Sequence, residues 1–382
     1  MCKFMSKSYD ILVVGAGISG ATIAERYATQ KNKKVMVIDK RDHIAGNCYD
    51  FYNDEGILVP KYGPHFFHTN YEDVWKYVNK FSEWTPYIHK ALSRIDGKQY
   101  VPIPVNIETV NKVFGLNMKT EKEMKFWLEQ NTKKIEVPKN SEEAALRRFG
   151  KILYEKMFKY YVKKQWDKWP SELDATVIDR IPVRISFDDR YFTDKYQVMP
   201  NQGYTKIFEN MFNNDNIDVE LNTSFEDIEI ETNSYEKIFF TGRIDSFFGD
   251  LFKEHLEYRS LKFVFETLDV EYFQPAAQVS YPTTEEFTRI TEPKHSTGQK
   301  HPKTTIIKEF GTWDGEPYYP VPSERNKALY AKYKKEAKKL ENRGIYFVGR
   351  LAEYKYFNMD QAFKNALDLF NRLENKETVK EL

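Results

Sequence analysis

Two four-residue apolar runs, Ile11–Val14 and Val35–Ile38, stand near the start of the chain, with a glycine-rich turn and a helical stretch at 21–28 between them. Short unbroken apolar runs predict strands buried on both faces, as the strands of parallel sheets are. Later runs of the same kind lie at 217–221, 237–240 and 345–349; the second is followed by Thr241-Gly242 and the third ends in Gly349. They predict strands that return to the first sheet, which would begin at residue 9 and close after residue 349 around two insertions. Alternation at 258–265, 277–280 and 304–308 predicts an antiparallel sheet instead. Helical spacing occupies 71–81, most of 107–166 with a start at Ser141, 327–340, and 358 to about 373. Pro102 and Pro104 hold 101–106 extended. The fold class is α/β: a Rossmann-like domain with an inserted helical bundle and an antiparallel β-sheet domain. The expected division is 1–85 with 215–255 and 340–382, then 105–178, then 86–104 with 179–214 and 256–339.

Length and composition narrow the function. The 382 residues suffice for two or three domains at ~150 residues each. With 58 basic and 57 acidic residues, nothing points to nucleic acid or an anionic membrane as partner. No stretch approaches the ~20 apolar residues of a membrane span, and residues 1–9 lack the apolar core of a signal peptide. Two cysteines, Cys2 and Cys48, make neither a disulfide framework nor a zinc spacing. A cytoplasmic location is expected. Aromatic residues make up 16% of the chain and offer many ring faces and phenols for ligand contact.

Candidate chemistry begins at Gly15, Gly17 and Gly20, a G-x-G-x-x-G directly after the first strand. The first glycine makes the tight turn, the second lets backbone approach a pyrophosphate, and the third lets helix pack on strand. The helix that follows turns its free N–H groups and dipole toward the phosphates. Asp39, nineteen residues after Gly20, ends the second strand where an acid can take a ribose hydroxyl. Lys40 opens a charged turn leading to the small residues Ala45-Gly46-Asn47. His65 and His68 lie on a Gly63-Pro64 loop; a metal pair would need a third ligand, and none is suggested nearby. Gln165 to Pro170 reads as a mobile lid or as an ordinary connection. Arg180 and Arg184 sit on a stiff segment, with Arg147 upstream and Arg190 after it, and guanidinium forks suit phosphate. Tyr318 and Tyr319 lie on a second rigid loop, and the strand, glycine and helix start at 345–358 make a second place for a cofactor.

Together the motifs resemble the bacterial-type UDP-galactopyranose mutases, nearly end to end. The resemblance rests on G-A-G-I-S-G at 15–20, K-Y-G-P-H-F-F-H-T at 61–69, K-K-Q-W at 163–166 and R-I-P-V-R at 180–184. It continues through D-D-R-Y-F-T-D at 188–194, L-E-Y-R-S-L-K-F at 256–263, E-P-Y-Y-P-V at 316–321 and G-R-L-A-E-Y-K-Y at 349–356. It implies FAD as cofactor, active when reduced, and interconversion of UDP-galactopyranose and UDP-galactofuranose without net redox change. The family route runs through a flavin N5–sugar adduct and an iminium ion, and serves galactofuranose-containing cell-surface glycans.

Carried over by position, Gly15, Gly17, Ser19, Gly20, Asp39, Lys40, Gly46, Asn47, Arg350 and Met359 would contact FAD. His65, Arg180 and Arg289 would be catalytic, the histidine near the reactive flavin face and the arginines on the diphosphate. Tyr161 and Trp166 would take the uridine side, next to a mobile loop near 163–172. Tyr191, Tyr319, Tyr356 and Asn358 would complete the substrate site. A homodimer is the family expectation. Four positions depart from the family pattern. Asp167-Lys168 stand where Gly-Arg is common, Asn358 where aspartate is common, and Ala45 within a turn that usually has two glycines.

Other readings stay open at this point. A FAD-dependent oxidoreductase of the amine oxidase type shares the glycine motif, but Arg180 and Arg289 argue for a diphosphate rather than a hydride-donor pocket. A mutase for another UDP-hexose, such as UDP-N-acetylgalactosamine, fits the same residues. So does a sugar-nucleotide-binding protein that has lost catalysis.

Overall fold

The computed structural model describes residues 8–227, 234–283 and 285–380. Ile11–Val14 (β1) and Val35–Ile38 (β2) are fully buried neighbours in a five-stranded parallel sheet. Its order is Ile217–Glu220, β2, β1, Lys237–Phe240, Ile345–Phe347, and every pairing is parallel. The helix Ile18–Lys31 (α1) packs with Met359–Lys380 against this sheet. Burial on both faces is why these strands read as uninterrupted apolar runs. The sheet takes strands from both ends of the chain, so the segments between 38 and 217 and between 240 and 345 are the two insertions.

The first insertion is mainly helical between 107 and 179. Asn106 and Thr120 each cap a helix by accepting from the backbone N–H three residues on, in Ile107–Phe114 and Glu121–Asn131. Ser141 begins Ser141–Arg148, as its spacing predicts, with Asn140 as the cap. The last long helical piece, Lys159–Trp166, follows a π-helical turn at Tyr154–Phe158, a feature that often marks functional sites. It stops at Asp167, which takes a left-handed conformation with φ 53°. Phe149 and Phe158 stack at 4.3 Å in the core of this region.

The second insertion builds most of a seven-stranded sheet. Its order is Tyr319–Pro320, Tyr258–Leu268, Thr304–Thr312, Arg289–Thr291, Gln278–Ser280, Ala91–Ile95, Gln99–Ile103. The expected antiparallel sheet is thus mixed: Gln278–Ser280 and Ala91–Ile95 run parallel. A second correction concerns 179–214, which the sequence reading placed with this sheet. Tyr196–Pro200 pairs instead with Phe67–Thr69 and Trp84–Pro86 in a separate three-stranded sheet. The helix Tyr204–Phe212 packs on α1. Both therefore lie against the parallel-sheet layer, because Ile207, Phe208 and Met211 bury their side chains with Ala21 and Phe67.

Candidate active site

The turn after β1 has room only for glycine at two places. Gly15 has φ +108°, and a Cβ there would lie 2.1 Å from Thr241 Oγ1, whose hydroxyl donates to the Val14 carbonyl at 2.8 Å. A Cβ on Gly20 would lie 1.8 Å from the Gly15 carbonyl oxygen. Gly17 is different: a Cβ would meet Gly46 Cα at an ordinary 3.6 Å. The turn Ala45-Gly46-Asn47 is tied to this loop by the Ala45 N–H donating to the Ala16 carbonyl at 3.0 Å. Ala45 has φ 71°, a conformation glycine adopts without strain. That is the physical content of its departure from the two-glycine pattern.

These residues fit a bound dinucleotide. The N-terminus of α1 carries no side-chain cap and no acidic residue in its first turn, so its N–H groups face the cradle alone. The Asp39 carboxylate accepts from the Ala16 N–H at 2.8 Å and the Arg41 N–H at 2.9 Å. A carboxylate has about four lone-pair sites, so two acceptor positions remain for a ribose. Lys40 pairs with Glu316 at 2.9 Å, and Arg41 donates to Asn47 Oδ1 at 3.0 Å. The far end of the chain closes on the same place. Gly349 approaches so near that a Cβ would lie 2.6 Å from Ser19 Oγ, and Met359 Sδ lies 3.7 Å from Cys48 Sγ.

Next to this cradle, arginines and phenols from five segments converge. Arg289 is paired across the sheet with Glu309, its Nε donating to Oε2 at 2.8 Å. That bond consumes Nε and leaves the guanidinium fork for a ligand. Arg180 follows the short helix Thr176–Asp179, and its guanidinium carbon lies 4.8 Å from the centre of the Tyr356 ring. Arg350 lies at the same 4.8 Å from that ring and 5.8 Å from the Tyr319 ring. Tyr319 stacks on Tyr356 at 5.9 Å, and the buried Trp166 lies 6.0 Å from Tyr319. Burial would raise the Tyr356 phenol, but Arg180, Arg350 and Arg289 outweigh it and hold the phenol below its usual range. Burial does raise Tyr161 and Tyr319, although Arg289 opposes the shift at both. A site that pulls a phenol toward its anion is an anion site. Tyr191 flanks it, its backbone N–H donating to the His89 carbonyl at 2.8 Å.

His65 Nδ1 lies 3.0 Å from the Gly63 carbonyl, which fixes the N–H there and leaves Nε2 as an acceptor. Burial, followed by Arg350 and Arg289, lowers its imidazole to about 4 despite the Gly63 bond. It is neutral at pH 7. His68 pairs with Asp194 at 3.1 Å and stacks on Phe192 at 3.6 Å, so it packs rather than reaches a ligand. His89, stacked on Phe66 at 3.8 Å, is lowered by burial to about 3.

Both depressed histidines bind protons more weakly in the folded chain than the ~6.5 of the free side chain. Their stabilising effect is complete above that value and is lost as pH falls from it toward 4. Melting temperature measured by scanning fluorimetry should therefore drop between pH 7 and 4.5. His89→Phe should make the decline shallower, and an unchanged slope would reject this origin.

The 163–172 stretch has defined contacts. Trp313 Nε1 donates to Asp167 Oδ2 at 2.9 Å, and Lys168 lies 3.6 Å from Glu257. Both departures from the family's Gly-Arg are used in these contacts. Asn358 opens the final helix, its N–H donating to Gln361 Oε1 at 3.0 Å. Sequence reasoning missed Glu309, Lys164 and Arg259. Arg350, expected on the flavin, also stands among the substrate-side rings. Among the described residues no cluster of three or more metal-ligating side chains occurs, and no helix is long and apolar enough to cross a membrane.

Fold and site together define a dinucleotide-binding enzyme class: a cradle for a dinucleotide beside a separate cleft for a second, anionic ligand. Comparison with known proteins narrows this. Residues 156–356 match the model of the UDP-galactopyranose mutase family, and residues 13–81 that of an NAD(P)-binding Rossmann-like domain. A dTDP-fucopyranose mutase of Escherichia coli is 38% identical over 94% of this chain and 96% of its own length. A probable UDP-galactopyranose mutase of Klebsiella pneumoniae is 38% identical over 97% of both chains. The crystal structure of a reduced UDP-galactopyranose mutase superposes with TM-score 0.75 at 18% identity, covering 97% of this chain and 94% of that one. A putrescine oxidase mutant shares the fold at TM-score 0.52 and 12% identity, covering 95% and 99%. The chain belongs to the UDP-galactopyranose mutase family, a family of intramolecular transferases, and its cofactor is FAD.

Proposed function

We propose that this chain interconverts UDP-galactopyranose and UDP-galactofuranose with reduced FAD and no net redox change. The observation that carries the proposal is the convergence of Arg180, Arg289 and Arg350 with Tyr319 and Tyr356 in one cleft beside the cradle. Reduced flavin supplies a nucleophile for the anomeric carbon, which splits one difficult ring exchange into easier steps. Arg180 and Arg289 bind the diphosphate and stabilise the charge that gathers on it as the sugar–phosphate bond opens. Glu309 keeps Arg289 aimed, Tyr191 and Tyr356 line the diphosphate, and Tyr161 with Trp166 takes the uracil side. Neutral His65 offers an acceptor rather than a charge to the flavin side. Gly15, Gly17, Gly20, Gly46 and Asp39 hold the adenosine and pyrophosphate. Asn358 contributes a neutral hydrogen-bonding group where an acid would contribute charge. The reading extends to a cytoplasmic homodimer that feeds cell-surface galactofuranose glycans.

A second nucleotide sugar comes from one comparison: the dTDP-fucopyranose mutase is as similar as the Klebsiella protein. The deciding experiment incubates purified holoenzyme with UDP-galactofuranose or dTDP-fucofuranose, with and without dithionite, and separates the products by chromatography. Conversion of the UDP sugar only after reduction is expected. Conversion of the dTDP sugar alone would move the assignment to that substrate. Conversion of neither by a reduced, flavin-loaded protein would overturn the mutase reading.

A further inference from the structure

The helix Lys159–Trp166 carries Tyr161 and Trp166, and its last turn is fastened to the seven-stranded sheet in two directions. From the sheet, Arg259 on Tyr258–Leu268 is 2% exposed and donates Nε to the Gln165 carbonyl at 2.9 Å. Its Nη2 reaches the Lys164 carbonyl at 3.4 Å. These are carbonyls at the helix end that have no partner within the helix. Close approach depends on Gly311, where a Cβ would lie 2.6 Å from the Lys164 carbonyl oxygen and 2.9 Å from that of Gln165.

In the other direction, the Lys164 ammonium reaches Tyr281 and the 285–287 turn. It donates to the carbonyls of Tyr281, of Glu285 at 2.8 Å and of Phe287 at 3.0 Å. Three donors meet three acceptors, so the ammonium is satisfied by backbone dipoles alone. Burial lowers it to about 8, against the nearby Glu285 charge, while the three carbonyls favour the charged form. Phe287 precedes Arg289 by two residues. Thr288, between them, is fully buried and donates both its N–H (2.8 Å) and its hydroxyl (3.0 Å) to the Glu309 carbonyl. One rigid path therefore runs from the helix through Lys164 and the 287–289 segment to the guanidinium of Arg289.

We propose that Lys164 is a positioning residue for substrate binding: it ties the helix bearing Tyr161 and Trp166 to the segment that presents Arg289, setting the separation between nucleoside and diphosphate subsites. The inference rests on the cleft taking a nucleoside diphosphate, as proposed above. A nucleoside diphosphate spans both subsites, so an error in their spacing weakens binding of the whole molecule more than of either part.

The test measures UDP binding to FAD-loaded enzyme by titration calorimetry for wild type, Lys164→Met and Lys164→Arg. Lys164→Met should raise the Kd for UDP and the KM for substrate roughly tenfold, about 1.4 kcal/mol of binding. Its FAD content should stay at the wild-type level, and its kcat should fall as well, because Arg289 then meets the departing diphosphate out of place. Lys164→Arg, which keeps donors, should recover much of the affinity. Wild-type affinity in a folded Lys164→Met protein overturns the proposal, as does an equal loss of UDP affinity and FAD content. If that variant does not fold, hydrogen exchange on wild type decides. UDP should protect 285–287 together with 160–166, and protection of 160–166 alone overturns the proposal. A wild type that binds no UDP overturns the functional reading, and this inference with it; wild-type binding unaffected by the substitution overturns this inference only.

Discussion

Arg289→Ala should lower kcat/KM for the sugar nucleotide by roughly 10³-fold, the scale seen when a preorganised charge-stabilising donor is removed. The loss has two parts. The cation on the diphosphate disappears, and Glu309 remains, its side chain 2% exposed and its Oε1 already without a partner. An anionic cleft wall then faces an anionic ligand. Breaking such a pair also destabilises the fold, by about 3–5 kcal/mol for a well-buried one. Activity and stability separate in the double variant Arg289→Ala/Glu309→Gln, which removes the stranded charge. Its melting temperature should recover while its turnover does not. Flavin absorbance should remain near one FAD per chain in both, since neither residue touches the cradle. Chromatographic turnover with dithionite-reduced protein is the measurement, and full activity of the single variant would falsify the diphosphate role.

Gly20→Ala should remove FAD from the protein altogether. The new Cβ would lie 1.8 Å from the Gly15 carbonyl oxygen and 3.1 Å from Val13 Cγ1, so α1 must move off the turn that it packs against. Overpacking of this kind costs about 1–3 kcal/mol or more. The damage also falls on the N–H groups that would hold the pyrophosphate. The protein should purify colourless and melt lower than wild type. Gly17→Ala makes the contrast: its Cβ would have an ordinary 3.6 Å contact, and φ −85° is open to any residue. That variant should melt like wild type without ligand yet lose FAD affinity, because only the approach of the cofactor is blocked. Absorbance of the purified proteins and melting with added FAD distinguish the two. Retained yellow colour in Gly17→Ala would remove the second glycine from the cradle.

How much of this was legible in the sequence depends on how local the cause is. β1, β2 and Lys237–Phe240 are buried on both faces, so their apolar runs are unbroken and their limits readable. The glycines read clearly because their constraint lies in their own backbone. The three-residue strands Phe67–Thr69 and Trp84–Pro86 are too short for any period, and their partner, Tyr196–Pro200, lies more than a hundred residues away. That is why the sequence pattern places 196–212 in the wrong layer. The parallel pairing of Gln278–Ser280 with Ala91–Ile95 is equally invisible, since alternation reports which face is buried and not which neighbour is chosen.

At the site, Arg180 and Arg289 stand out as cations in stiff or strand-like surroundings, but their partners do not. Glu309 lies one residue beyond the alternation read at 304–308 and is a charge turned inward, against the rule for a strand. Its register partner, Arg289, explains it only once the sheet is seen. Lys163 and Lys164 are neighbours in K-K-Q-W, and nothing in the sequence says which points into the protein. The structure gives Lys163 to Asp167 at 2.9 Å and Lys164 to Tyr281 and the 285–287 turn.

The parallel sheet is assembled from strands at 11–14, 35–38, 217–220, 237–240 and 345–347, with Gly349 against Ser19 and Met359 against Cys48. For a chain made from its N-terminus, this order has a cost in time. The glycine loop emerges some three hundred residues before the strand and helix that close its far side. Until then the ribosome carries a dinucleotide fold lacking its final strand, the apolar edge of Lys237–Phe240 waiting on Ile345–Phe347 about a hundred residues downstream. Such distant closure is also slow once the chain is free. FAD can therefore be captured in full only once the chain has emerged past Met359, and its supply acts on a late step of folding rather than on an early one.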